Sequence, residues 1–199
     1  MNRIGNAECF ENMDSLAEAL LKNHGAKVAI SVVGAGGKTS FIHFLAKYYC
    51  AMGMKVLVST TTHMKKENGF LTEPGEIRRA LAERGYAFAG TPDPENQEKI
   101  IALSKETISE ISDLPDVLLI EADGARRKPF KAPYPWEPVL YHPSSAVIIV
   151  LGMNAAGNKI SSVCYNPEGV AEAAEAAADD ILTEELMEDS YRKTYFEKL

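Results

Sequence analysis

Between residues 28 and 60 the chain runs "VAISVV", "GAGGKTS", "FIHFLAKYYCAMG" and "KVLVST", an apolar run, a glycine turn, a helical stretch and a second apolar run. The first run shows no polar alternation, which is the pattern of a strand covered on both faces, as central strands of parallel sheets are. In the helical stretch Phe41, Phe44, Leu45, Tyr48 and Met52 recur at spacings of three and four, and Gly53 is placed to end the helix. Two strands joined through a helix are parallel neighbours in one sheet, or nearly so, because a crossover of that length returns the chain in the same direction. The expected fold class is therefore α/β, a three-layer αβα sandwich with a mostly parallel sheet.

The rest of the chain keeps the alternation. "DSLAEALLKNHG" predicts a helix with Asn12 or Asp14 as its cap and Gly25 as its stop. "PGEIRRALAERG" predicts a helix, "YAFAG" a short strand, "PENQEKIIALSKETISEIS" a longer helix and "DVLLIEADGA" a strand. The five prolines of "RRKPFKAPYPWEPVLYHPSS" resist regular structure, so this segment is expected to be a long ordered loop. "AVIIVLGM" reads as another strand, and the alanine-rich stretch from Glu168 as helix in two pieces. With 199 residues, 46% of them hydrophobic, the chain can bury one substantial core, and one domain over 1–199 is the expectation.

Composition removes several classes of function. A formal net charge of −7 argues against general affinity for nucleic acid, while leaving room for a local basic site. Cys9, Cys50 and Cys164 are scattered with no C-x-x-C pair, which suits a reducing compartment better than a disulfide framework or zinc site. The start "MNRIGNAECFENMDS" lacks the basic and apolar regions of a signal peptide. No apolar run approaches the roughly 20 residues of a membrane helix. A soluble cytoplasmic protein without a membrane partner is expected.

Chemistry concentrates at the ends of the predicted strands. The full phosphate loop G-x-x-x-x-G-K-[ST] would place a glycine at position 32, where this chain has Val32. The shortened Gly34, Ala35, Gly36, Gly37, Lys38, Thr39, Ser40 still offers what a triphosphate needs. Glycines let backbone amides converge on oxygen atoms, lysine supplies charge, and a hydroxyl at a helix start can meet Mg²⁺. An ordinary glycine turn is the plainer account, and its position between strand and helix weighs against it. In "VLLIEADGARRK" an apolar strand ends in Glu121 and Asp123, where a carboxylate can hold Mg²⁺ directly or through water. Asp123 is expected nearer the metal, with Glu121 behind it or positioning water; a turn-capping carboxylate is the plainer alternative.

Thr60, Thr61 and Thr62 close the strand after the loop helix, where their hydroxyls could touch a phosphate, the Mg²⁺ surroundings or a second substrate. Threonine also simply suits strands, and His63 beside them reads as a solvated loop residue. Arg126, Arg127, Lys128 and Lys131 form a basic cluster in an acidic chain, either a solvated surface run or groups that stabilise developing charge on an anionic substrate. Of these, Arg126 joins Lys38, Glu121 and Asp123 as a candidate catalytic residue.

Taken in order, "GAGGKTS", "VLVSTTTHM", "LLIEADGARRKPFKAP" and "EPV" resemble the YqeC-like family, described as accessory proteins of selenium-dependent molybdenum hydroxylases. The resemblance runs from residue 28 to about 170. It implies a P-loop NTPase-like fold and a molybdenum hydroxylase or its cofactor as partner, while ATP or GTP with Mg²⁺ are the cofactors expected from the loop and the acidic strand end. Gly34, Gly36, Gly37, Lys38, Thr39, Thr60 to Thr62, Glu121, Asp123, Gly124, Arg126, Lys131 and Glu137 match its motifs position by position. Two departures stand out. "VCYNPE" replaces a V-H-R-P-E-like motif, and "YFEKL" comes where relatives continue into another strand and an N-K-x-D-like stretch, so the C-terminal part is expected to be truncated or short. A Mur-type ATP-dependent ligase shares the shortened loop but wants further domains. A non-catalytic module whose proline-rich loop responds to nucleotide is the third possibility.

Overall fold

Asn12 caps the first helix, α1 (Met13–His24): its side chain accepts from the Ser15 amide at 2.9 Å, and the Ser15 hydroxyl accepts from the Asn12 amide at 3.3 Å. That reciprocal pair satisfies two donors that the first turn leaves open. Gly25, at φ 85°, closes the helix in a conformation that side chains disfavour. The computed structural model describes residues 10–25 and 27–199; Cys9 and the eight residues before it lie outside the described residues.

The chain continues through β1 (Val28–Gly34), α2 (Lys38–Ala51), β2 (Val56–Thr60), β3 (His63–Lys65), α3 (Pro74–Arg84), β4 (Tyr86–Phe88), β5 (Thr91–Pro92), β6 (Lys99–Ile101) and α4 (Lys105–Ile111). Then come β7 (Val117–Glu121), β8 (Phe130–Lys131), β9 (Ala146–Val150), α5 (Ile160–Val163), β10 (Cys164–Tyr165), α6 (Pro167–Ala174) and α7 (Glu184–Tyr191). A π-helical turn, Arg192–Phe196, extends α7. The central sheet has the order β4-β2-β7-β1-β9, and every pairing in it is parallel. Strand β7 thus sits between β1 and β2, although it comes much later in the chain.

Side-chain parity sorts the core into two layers. Val28, Ile30 and Val32 of β1, Val56 and Val58 of β2, and Val117 and Leu119 of β7 pack with Ala17, Leu20, Ile42, Leu45 and Tyr49 from α1 and α2. The alternate residues Val33, Leu57, Leu118 and Ile120 face Ile77 and Leu81 of α3, Val170 of α6, and Met187 and Tyr191 of α7. Helices on both faces of a parallel sheet make the three-layer α/β sandwich that the apolar runs predict. Residues 117 and 119 face α2, so residue 121, next in that parity, also turns toward the helix that follows the glycine loop.

Three expectations need correction. The stretch "PENQEKIIALSKETISEIS" is not one helix: Lys99–Ile101 is a strand pairing antiparallel with both β3 and β5, and only Lys105–Ile111 is helical. Ile100 is fully buried there, a gain that local helix propensity cannot offset. Helix α4 restarts at Ser104, whose side chain accepts from the Thr107 amide. On α2 the fully buried line is Ile42, Leu45, Ala46 and Tyr49, while Phe41, Phe44 and Tyr48 flank it and Met52 is exposed. Helix α1 accounts for the rotation, since the Tyr49 hydroxyl donates to the Ala17 carbonyl and that of Tyr48 to Glu18. Finally His63, expected in a loop, begins β3, though its side chain is exposed as expected.

No helix of the described residues is long and apolar enough to cross a membrane.

Candidate functional site

Strand register builds the site. Glu121 pairs with Val32 of β1 on one side and Thr60 of β2 on the other, so the last residue of β7 lies at the carboxyl edge between the two strands. Strand β1 runs two residues farther, to Gly34 opposite Val150 of β9. The loop therefore leaves β1 alongside the segment that follows Glu121. Ligands of open α/β sheets collect at this edge.

Two glycines are required by contact. A Cβ on Gly34 would stand 2.1 Å from the Val150 carbonyl oxygen, and one on Gly36 would stand 2.4 Å from the Gly152 backbone and 2.5 Å from the Pro129 oxygen. The Val150 carbonyl accepts from the Ala35 amide at 2.8 Å and from the Tyr191 hydroxyl at 3.1 Å, which fixes the loop from below. Beyond Gly37 the chain enters α2, and no side chain caps it. The first hydrogen bond of this helix runs from Phe41 to Gly37, so the amides of Gly37, Lys38, Thr39 and Ser40 have no intrahelical partner. Together with the helix dipole they form a ready place for an anion.

The side chains at that place are linked. The Thr39 hydroxyl donates to Glu121 Oε2 at 2.8 Å. Lys38 is buried; its ammonium donates to the Gly34 carbonyl at 2.7 Å and lies 3.1 Å from Asp123 Oδ1 and 4.0 Å from Glu121 Oε1. Asp123 has no exposed surface. Its Oδ2 accepts from the Gly34 amide at 2.9 Å and the Tyr195 hydroxyl at 2.8 Å, with Lys131 Nζ 3.4 Å away. Lys131, also fully buried, donates to Glu137 at 2.7 Å and to the Gly124 carbonyl at 2.6 Å.

Electrostatics separates the two acids. Burial raises the Glu121 pKa above its ordinary value, against the opposing pull of Lys38 and the Thr39 hydroxyl. A carboxylate in this position gains from a further cation. Asp123 Oδ2 already has two aligned donors and Lys131 near it, while Oδ1, buried without a hydrogen-bond partner among the described residues, faces the Lys38 ammonium at 3.1 Å. Burial, and then the Asp123 charge, push the Tyr195 phenol well up, so it stays protonated and keeps donating.

The threonines divide their work. Thr60 donates to the Glu121 carbonyl at 2.8 Å and accepts from the Thr62 amide at 3.0 Å, holding the strand ends together. Thr61 donates to the Val139 carbonyl, tying in the proline-rich segment. The Thr62 hydroxyl is buried without a partner among the described residues. Ser40 is exposed on the first turn of α2. Arg126 is exposed, at φ 45°, with its guanidinium 5.5 Å from the centre of the Tyr165 ring, and takes no part in the Lys38–Asp123–Lys131 network.

Sequence reasoning passed over Tyr191 and Tyr195. Their spacing of four on a helix is a visible sign that both face one way, but nothing local says that the face meets Val150 and Asp123, 41 and 72 positions earlier. It also kept Lys131 in one basic cluster with Arg126, Arg127 and Lys128, either solvated or acting on an anionic substrate, whereas Lys131 alone of these is fully buried and pairs with Asp123 and Glu137. A separate concavity lined by Leu21, Lys22, Met52 and Met54 lies at the other end of α2 from Lys38.

A parallel three-layer α/β sandwich with a glycine loop opening onto an uncapped helix, and carboxylates at the neighbouring strand end, defines the class of protein. Within that class, the chain belongs to the YqeC protein family, whose match covers residues 30–168. It is 38% identical over 154 residues to the uncharacterized protein YqeC of Escherichia coli (strain K12), an alignment covering 72% of this chain and 60% of that relative. The chain thus spans 60% of the length of the curated relative it matches. No solved structure gives a significant match.

Proposed function

We propose that the "GAGGKTS" loop binds a nucleoside triphosphate with Mg²⁺, in a P-loop manner, and that the chain acts as an NTPase or a phosphoryl or nucleotidyl transferase. The observation that carries this is the Thr39 hydroxyl meeting the Glu121 carboxylate at the uncapped start of α2, beside buried Lys38. First-turn amides take phosphate oxygens, and Lys38 leaves the Gly34 carbonyl to add its charge. Thr39 and Glu121 would hold the ion, which when bound neutralises charge on the phosphates. Among the described residues no group of three or more His, Cys, Asp or Glu could hold a metal by itself. That fits Mg²⁺, which keeps waters and substrate oxygens as most of its ligands.

In this reading one assignment differs from the sequence expectation. Asp123, expected from the sequence nearer the metal, takes a positioning role instead: it holds the Gly34 amide, Tyr195 and two lysines. Glu121 becomes the carboxylate toward the metal. A role in maturing selenium-dependent molybdenum hydroxylases rests on family resemblance alone, and the phosphate acceptor belongs to that part of the proposal.

Calorimetric titration of ATP and GTP, with and without Mg²⁺, into the wild type and Lys38→Ala tests the binding. One nucleotide binding with Mg²⁺, and losing that binding in Lys38→Ala, is the expected result; no binding to the wild type sinks the proposal. A nucleotide-responsive module without catalysis is the second reading, favoured by the unbroken path of contacts from Gly34 through Asp123 and Lys131 to Glu137. Turnover at background with binding retained would select it.

A further inference from the structure

The proline-rich segment carries the chain's one tryptophan, Trp136, which is 71% exposed. An indole is a large aromatic surface, and here it is held on one side only. Its ring stacks on Tyr134 with centroids 4.9 Å apart and planes 3° from parallel, and Tyr134 in turn meets the Tyr165 ring edge-on at 5.5 Å. One face of the indole is thus fixed against a phenol while the side chain as a whole stays largely in solvent.

The shelf is tied to the loop. Residues 134–137 form a turn in which the Glu137 amide donates to the Tyr134 carbonyl at 2.9 Å and the Glu137 carboxylate accepts from the Tyr134 amide at 3.2 Å. That carboxylate pairs with Lys131 at 2.7 Å, Lys131 lies 3.4 Å from Asp123, and Asp123 holds the Gly34 amide at 2.9 Å. At the other end of this row of rings Arg126, an exposed residue with its backbone in the left-handed region, places its guanidinium 5.5 Å from the centre of the Tyr165 ring. Non-glycine residues held there mark sites where the surroundings fix a costly conformation. An aromatic surface, a cation at the far end of the same row of rings and a hydrogen-bonded link to a phosphate-type loop together suit a flat, electron-poor ring that carries negative charge.

We propose that Trp136, backed by Tyr134, is a stacking shelf for a planar heteroaromatic ring bearing phosphate groups, with Arg126 meeting part of that charge. The proposal deepens the nucleotide reading and rests on it for the phosphate loop. The ring has two possible sources, the base of the triphosphate itself or a separate phosphorylated co-substrate, and both share this chemistry.

As the sole tryptophan, Trp136 reports on its own site. Its fluorescence is followed while the full chain is titrated with ATP, GTP, Mg²⁺-tripolyphosphate, and the monophosphates AMP, GMP, UMP and nicotinamide mononucleotide, alone and with saturating ATP. Calorimetry of the same ligands on wild type, Trp136→Ala and Trp136→Phe runs in parallel. Quenching by ring-bearing ligands and not by tripolyphosphate is expected, with affinity falling about 5-fold to about 150-fold in Trp136→Ala and largely restored in Trp136→Phe. Quenching by the triphosphates themselves assigns the ring to their base; quenching by a monophosphate on top of saturating ATP assigns it to a co-substrate. If ATP or GTP binds with unchanged fluorescence and equal affinity in Trp136→Ala, and no monophosphate quenches, the shelf is wrong while the nucleotide reading stands. If no triphosphate binds but a ring monophosphate quenches, the nucleotide reading falls and the shelf survives. Absence of quenching by every ring-bearing ligand overturns the shelf.

Discussion

Asp123→Asn distinguishes a carboxylate that holds the loop from one that holds a metal. The wild-type group is fully buried, accepts from the Gly34 amide and the Tyr195 hydroxyl, and stands 3.1 Å from Lys38 and 3.4 Å from Lys131. Removing one partner of a buried ionic group costs about 3–5 kcal/mol, because the remaining charges stay buried without compensation. Asparagine with its amide oxygen in the place of Oδ2 can keep both donors, but it loses the charge and turns an NH2 group toward the Lys38 ammonium, so the lower end, about 3 kcal/mol, is the expectation. At about 2–4 °C per kcal/mol for a chain of this size, Tm should fall by roughly 6–12 °C. Glu121→Gln is the control. The Thr39 hydroxyl can still donate to the amide oxygen, and removing a charge that burial disfavours should cost less than about 1 kcal/mol. Circular dichroism during thermal and urea unfolding of both variants gives the comparison. Should Asp123→Asn melt within about 2 °C of the wild type, or Glu121→Gln lose more than Asp123→Asn, the division of labour between the two acids is refuted.

Further outcomes follow from the same contacts. Gly36→Ala meets only backbone atoms, at 2.4 and 2.5 Å, and would also hold alanine at φ +78°, a conformation costing about 1–2 kcal/mol before the clash is counted. It should lower Tm and weaken any nucleotide at least about tenfold by calorimetry, as a misplaced loop amide costs a hydrogen bond to charge; wild-type affinity would contradict the packing. Because burial raises the Glu121 pKa above 4.5, the folded chain holds this proton over a range where the unfolded chain has released it. Its stabilising contribution is complete below the unfolded value and is lost as pH climbs through the folded one. Urea unfolding at several pH values should therefore show the wild type losing stability relative to Glu121→Gln as pH rises through that window. Tyr195→Phe removes a donor to a buried carboxylate and should cost about 1.5–3 kcal/mol in the same assay, whereas a neutral result would mean that the C-terminal helix does not support the loop.

How much of this is legible from sequence depends on how local each cause is. The caps at Asn12 and Gly25, the buried runs of β1, β2 and β7, the glycine turn at 34–37 and the break in the alanine-rich tail all follow from residues within a few positions of one another. The helix expected ahead of Ser104, and not found, shows the limit. Residues 99–101 hold two isoleucines that suit a strand inside a stretch whose other residues favour helix, and pairing with β3 and β5 decided between the two. The same limit applies at the site. Both acids were visible at a strand end, but parity within β7 alone does not say which of them meets α2.

By itself, then, the sequence determined a parallel α/β sandwich and the edge at which its polar residues gather, because period, propensity and turn chemistry act over short spans. The tertiary structure decided that β7 inserts between β1 and β2, which sets Glu121 against Thr39 and leaves Asp123 enclosed by the loop, two lysines and a tyrosine from the far end of the chain. Those contacts join residues 72 to 89 positions apart. Their energies depend on burial and on charges brought together only when the whole sheet has closed.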